Sequence, residues 1–261
     1  MRRGRSWQGI SGSLLTKDLI RFLTAFGMTK VRCRSAHKGT ESNGKKRNGK
    51  EQTVDKKITT IIFDIGNVLV NFRWKEYIAE FGYDEETQRR VAEASVLTKD
   101  WSEYDRGVLT QEEILDRFVK NDPGVEKEIR RTYNTLTGLL KQYDYTKSWI
   151  RELKDKGYRV LYLSNFSEKA ETECEKEMDF IPLTDGGILS YKVKLIKPDP
   201  AIYELLTATY KLVPAECLFF DDTPANVEGA IRHGYNARVF EGYDKARKII
   251  ADIREGILKQ P

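Results

Sequence analysis

Four short segments hold the residues able to do chemistry. ITTIIF (58–63) runs into Asp64, and YRVLYLS (158–164) ends on Ser164, with Asn165 next. IKPDP carries Lys197, and ECLFFDD (216–222) closes on Asp221 and Asp222. A carboxylate, a hydroxyl, a lysine and a carboxylate pair, brought to one place, suit a phosphate group and a hard cation. With a reference pKa of ~3.9, an isolated Asp64 is ionised at neutral pH and is able to attack phosphorus. A carboxylate nearing a phosphate is repelled, by ~5–6 kcal/mol for unit charges ~3 Å apart at an effective dielectric near 20. Mg2+ held between Asp64 and an aspartate of the 221–222 pair, with Lys197 beside it, offsets that repulsion. Ser164 and nearby backbone N–H groups hold phosphate oxygens without adding charge.

These residues need a scaffold that gathers them. The three segments ending in Asp64, Ser164 and Asp221–Asp222 are continuous apolar runs, β-branched throughout most of ITTIIF, as in strands buried on both faces. NARVF (236–240) is a fourth candidate strand. Helical patterns occupy 146–156, 167–177, 199–211, 224–232 and 244–257. Strand–helix alternation predicts a doubly wound, Rossmann-like parallel sheet, in which ligands sit outside the carboxyl ends of the strands. Residues 74–145 break the alternation. EYIAEFG, DEETQRRVAEAS, TQEEILDRFVKN and EKEIRRTYNTLTGLLKQY read as helices, in a block far too long for a βα connection. The expected organisation is an α/β core of 58–73 and 146–261 with an inserted helical cap at 74–145. Within the cap, Trp101, Tyr104 and Tyr133 read as core aromatics rather than as a substrate wall.

FDIGNVLV, LSNFS, IKPDPAIY and FFDDTPANVEGA, in this order, resemble the four motifs of the haloacid-dehalogenase-like superfamily. The first is similar to the α-glucose-1-phosphatase type. The resemblance spans about 58–240 and implies a phosphatase acting on a small phosphorylated metabolite, such as a sugar phosphate. It implies Asp64 as covalent nucleophile and magnesium ligand, and Ser164 and Asn165 as phosphate ligands. Lys197 then orients Asp64 and the phosphoryl group, and Asp222 is the acidic metal ligand with Asp221 in support. One position departs from the commonest phosphatase pattern. Where a second aspartate acts as general acid, this chain has Gly66. Its backbone carbonyl still serves the metal, but the proton donor is absent, a loss of roughly 10²–10⁴-fold in rate. The expectation is a preference for leaving oxygens that tolerate charge, as in sugar 1-phosphates, acyl phosphates or aryl phosphates. The alternatives are a 2-haloacid dehalogenase, which needs no metal, and a non-catalytic binding protein on the same fold.

The net charge of +5 over 261 residues is unevenly spread. Residues 1–57 hold 15 Lys/Arg against 4 Asp/Glu, leaving 30 against 36 for the rest, so a basic tail precedes a mildly acidic body. Residues 35–57 are polar enough to predict disorder. KKRNGK (45–50) reads as a solvated charge run rather than a nucleic-acid site. No apolar run reaches the roughly 18 residues of a membrane span. Cys33, Cys174 and Cys217 form no disulfide framework or zinc spacing, which suits a reducing compartment and a cytoplasmic setting. The Arg-rich amphipathic segment near the N-terminus is compatible with organelle targeting as an alternative. Nothing in the sequence fixes the oligomeric state. With only His37 and His233, a His-ligated metal site is poorly supplied, and His233 reads as a helix-end residue.

Overall fold

The structure is a computed structural model and describes residues 57–256. The tail read at 1–57 lies outside the described residues apart from Lys57. So does Cys33.

Five strands form one parallel sheet: β1 Thr60–Phe63, β4 Arg159–Ser164, β5 Gly187–Leu189, β6 Cys217–Asp221 and β7 Asn236–Val239. Their order is β5-β4-β1-β6-β7, with every pairing parallel. The order reverses at β1. The chain first builds outward through β4 and β5, then returns to lay β6 and β7 on the other side. The crevice at that switch point, outside the carboxyl ends of β1 and β6, is where a doubly wound sheet binds ligands.

Alternation along β1 shows why both faces are covered. Ile61 and Phe63 enter one core with Trp149, Leu153 and Ile250, from the helices Thr146–Asp155 (α6) and Tyr243–Arg254 (α11). Ile62 enters a second core with Ile202, Leu206 and Val227, from Pro200–Tyr210 (α9) and Pro224–Arg232 (α10). A strand apolar on both sides has no other stable place. β5 is three residues long and pairs only with β4, too short to show as a pattern in the sequence.

The inserted helices form the cap: Trp74–Ala79 (α1), Glu85–Ala94 (α2), Lys99–Arg106 (α3), Gln111–Asn121 (α4) and Glu126–Thr132 (α5). Their starts are locally encoded. The Asp84 carboxylate accepts from Thr87 N at 2.7 Å, and Thr110 and Glu113 form a reciprocal capping box. Gly107 ends α3 in the left-handed conformation, φ 69°.

Three local readings change. EKEIRRTYNTLTGLLKQY is not helical to its end: α5 stops at Thr132. The chain turns through Gly138 (φ 90°), and Leu140–Gln142 (β3) pairs antiparallel with Val70–Phe72 (β2). This small ribbon joins insert to core. The segment 167–177 splits into the helix Glu168–Glu173 (α7) and a 3-10 turn, Glu175–Met178. Helix α3 did not stand out in the sequence. Among the described residues, no helix is long and apolar enough to cross a membrane.

Candidate active site

Asp64 leaves β1 at its carboxyl end, and its backbone N–H donates to Phe220 O of β6 at 2.8 Å. The strand pairing thus sets the nucleophile candidate beside Asp221. The next turn is tight, with Leu69 N and Val70 N both donating to Ile65 O at 2.9 and 3.0 Å. Asn67 adopts a left-handed backbone, φ 54°, which asparagine tolerates better than most residues. Its side chain accepts from Phe72 N at 3.1 Å and donates to Asp222 Oδ2 at 2.8 Å. One amide therefore ties the loop after β1 to the loop after β6.

At the centre, Lys197 Nζ lies 2.9 Å from Asp64 Oδ1 and 2.6 Å from Asp221 Oδ2, with its side chain 0% exposed. Burial works against the Lys197 ammonium, but Asp221 and Asp64 together outweigh it and hold its pKa above the ordinary lysine value. Asp64 Oδ1 also accepts from Ser164 Oγ and Ile65 N, both at 2.7 Å. Asp221 is further held by Thr223 N at 2.9 Å and by Asn226 Nδ2 at 3.0 Å. Asn165 exchanges two hydrogen bonds with the Lys197 backbone, 3.0 Å to its carbonyl and 2.8 Å from its N–H. That reciprocal pair fixes the lysine loop against the end of β4.

Asp64, Asp221 and Asp222 each offer a carboxylate oxygen, and these lie within 4.8 Å of one another. Hard oxygen donors at this spacing fit Mg2+. The three are not equivalent. Asp221 is fully buried and occupied by Lys197, Asn226 and Thr223, whereas Asp222 is only half-buried and held by Asn67 and Thr223. Asp222 thus has the freer oxygens.

The expectation that Asp64 is ionised unaided is corrected. Burial raises its pKa to about 7, and Asp221 and Asp222 add to that, while Lys197 and Ser164 pull the other way. A nearby cation is what restores the anion at neutral pH.

The cavity above these groups measures about 230 Å³ and reaches Gly66, Asn165 and Asp222. Its other wall is apolar: Phe72, Leu139 and Leu140 at the ribbon, Phe166 after β4, and Trp101 of α3. Trp101 rests on Phe72 with ring centroids 5.7 Å apart. Of the three cap aromatics read as core, Tyr133 and Tyr104 are buried, but Trp101 faces the cavity as well. Among the polar lining residues that had not been singled out are Asn226 and Asp105. Asn226 sits in the FFDDTPANVEGA motif and was within reach of sequence reasoning. Asp105 sits in the charged stretch KDWSEYDR, which carries no pattern that marks it out. His233 ends α10, with Nδ1 2.8 Å from Gly229 O, outside the cavity lining.

A family model for haloacid dehalogenase-like hydrolases matches residues 58–234, more than half of the chain. The chain belongs to this family. Among relatives of this hydrolase, the chloroplast flavin mononucleotide hydrolase 1 of Arabidopsis thaliana is 22% identical over 225 residues. That match covers 78% of this chain and 81% of the relative. The sesquiterpene phosphatase astK of Aspergillus oryzae is 26% identical over 174 residues, covering 65% of this chain and 83% of the relative. A family enzyme from Bacteroides thetaiotaomicron, solved with magnesium and inorganic phosphate, shares the fold with TM-score 0.56 and 22% identity. It covers 73% of this hydrolase and 98% of its own chain.

Proposed function

We propose that this hydrolase is a magnesium-dependent phosphatase of small phosphomonoesters, with Asp64 as its covalent nucleophile. The observation that carries the reading is the buried row Asp64–Lys197–Asp221 beside a freer Asp222. It supplies an oriented carboxylate, a fixed positive charge and a cation site at one crevice. A dehalogenase has no use for the Asp222 arm of that cluster.

In the proposed reaction an Asp64 carboxylate oxygen forms a bond to phosphorus, and the bond from phosphorus to the leaving oxygen breaks with its electron pair on that oxygen. Ser164 donates to Asp64 and stands ready for a phosphoryl oxygen. Lys197 holds the carboxylate in place and places positive charge where charge develops. Asp64, Asp222 and the Gly66 carbonyl would hold Mg2+, which would supply positive charge opposite the phosphoryl group. Water then attacks the aspartyl phosphate and frees Asp64.

The named activities of the plant and fungal relatives, hydrolysis of a flavin mononucleotide and of a sesquiterpene phosphate, support phosphoester chemistry but differ in substrate. The motif resemblance favours a sugar phosphate, and the cavity of about 230 Å³ favours a small one. Phosphate release from a panel of phosphorylated metabolites, with magnesium and with chelator, tests the reading. Mg2+-dependent release that Asp222→Ala weakens supports it. Full turnover in chelator, or halide release from a 2-haloacid, points to the dehalogenase.

A further inference from the structure

Gly66 leaves the leaving oxygen without a proton donor in the turn after β1. A Cβ built at Gly66 meets nothing within 4 Å, so packing does not forbid an acid there. The proton has to come from elsewhere in the same cavity.

Asp105 is positioned for it. It lies in the last turn of α3, the cap helix nearest the site, and lines the cavity with Asp64, Gly66 and Lys197. The core grips this turn at three consecutive residues. The Asp105 carbonyl accepts from Ser190 Oγ at 2.6 Å, Arg106 Nη1 lies 3.2 Å from Asp199, and the Gly107 carbonyl accepts from Lys194 Nζ. Ser190 Oγ also accepts from Phe166 N at 2.8 Å, so one hydroxyl links the cap turn to the loop after Ser164. The backbone is thus fixed. Yet the Asp105 carboxyl makes no hydrogen bond or ion pair among the described residues, while its neighbour Arg106 is committed to Glu103 and Asp199. A carboxyl held over a cleft by its backbone, with no structural partner, is free to serve a ligand. The same cavity is lined by Asp64, Lys197 and Asp222. Burial, with Asp64 adding and Lys197 opposing, pushes its pKa up to about 8, the direction that favours the protonated acid.

We infer that Asp105 is the acid that protonates the leaving oxygen, in the role left open at Gly66. The inference rests on the phosphatase reading. As the Asp64–phosphorus bond forms, the electron pair of the breaking bond takes the Asp105 proton and the alcohol leaves, with Asp105 now ionised. In the second step the Asp105 carboxylate removes a proton from water as its oxygen bonds to phosphorus. The pair of the Asp64–phosphorus bond returns to Asp64. This changes the expectation drawn from Gly66: with a donor in place, the enzyme does not need an activated leaving group.

The experiment is a series of aryl and alkyl phosphates of graded leaving-group pKa, assayed with Mg2+. In the parent, kcat/KM is expected to depend only weakly on leaving-group pKa. In kcat/KM, which reads only the steps through loss of the alcohol, Asp105→Asn should slow alkyl phosphates by roughly 10²–10⁴-fold and 4-nitrophenyl phosphate far less. Adding Gly66→Asp to Asp105→Asn should return part of the alkyl rate, since the space there is open. A steep dependence in the parent overturns the inference without any variant. An equal loss of kcat/KM on every ester overturns it too, since it marks a structural role. Absence of phosphate release by the parent from any ester overturns the phosphatase reading, and the inference with it.

Discussion

At the scale of single residues, the site is a set of opposed charges that need one another. Lys197 is the only cation touching Asp64 and Asp221 among the described residues. Lys197→Met leaves two buried carboxylates unpaired, a change that costs about 3–5 kcal/mol in comparable cases. Urea denaturation of the metal-free protein should show a loss of that order at pH 8 and a smaller one at pH 5, where Asp64 takes up a proton instead. The parent has its own pH dependence. Asp64 is raised from the ordinary 3.8 to about 7 and Asp105 to about 8. The folded protein therefore binds protons that the unfolded chain has released, and stability falls as pH climbs from about 4 through 8. Thermal melts without metal should shift down across that range, and Mg2+ should restore most of the loss at pH 8. Melts that rise with pH would contradict the assignment. The residues of the row were legible because each closes an apolar run or sits in a motif. Asp105 was not, because nothing in KDWSEYDR separates a cavity-facing aspartate from its solvated neighbours; only the docking of α3 on Ser190 and Asp199 does.

At the scale of elements, the strands that carry the chemistry were visible as long apolar runs, and the shorter pieces were not. β1, β4 and β6 are buried on both faces, so their composition reports their place. β2, β3 and β5 have three residues each, and their pairing depends on partners distant in sequence. The end of α5 was missed because TGLLKQY has helix-compatible spacing, yet Gly138 at φ 90° redirects the chain into the ribbon. That ribbon contributes Phe72, Leu139 and Leu140 to the cavity, so part of the substrate wall was hidden along with it. Ser190 tests how elements are joined. Ser190→Ala strands the Phe166 N–H and loosens the Asp105 carbonyl, at a cost of about 1–3 kcal/mol for an unsatisfied buried group. The expected kinetic effect is a drop in kcat/KM of several-fold on alkyl phosphates with little change on 4-nitrophenyl phosphate. Equal kinetics with parent on both esters would show that the cap turn is held by its other contacts.

At the scale of the whole molecule, both cores and every residue of the proposed site fall between 57 and 256. The basic tail supplies no motif residue, so deleting residues 1–55 should leave kcat, KM and melting temperature nearly unchanged. A large loss in any of them would assign the tail a structural or catalytic part. The central claim is that phosphate passes through Asp64. The most direct measurement is mass spectrometry of protein quenched in acid during turnover of a phosphomonoester with Mg2+, with the modified peptide sequenced. The account predicts a phosphoryl group on Asp64 in the parent, and neither that group nor turnover in Asp64→Asn. Phosphate found on another residue, or an Asp64→Asn variant that retains turnover within about tenfold of the parent, would contradict it.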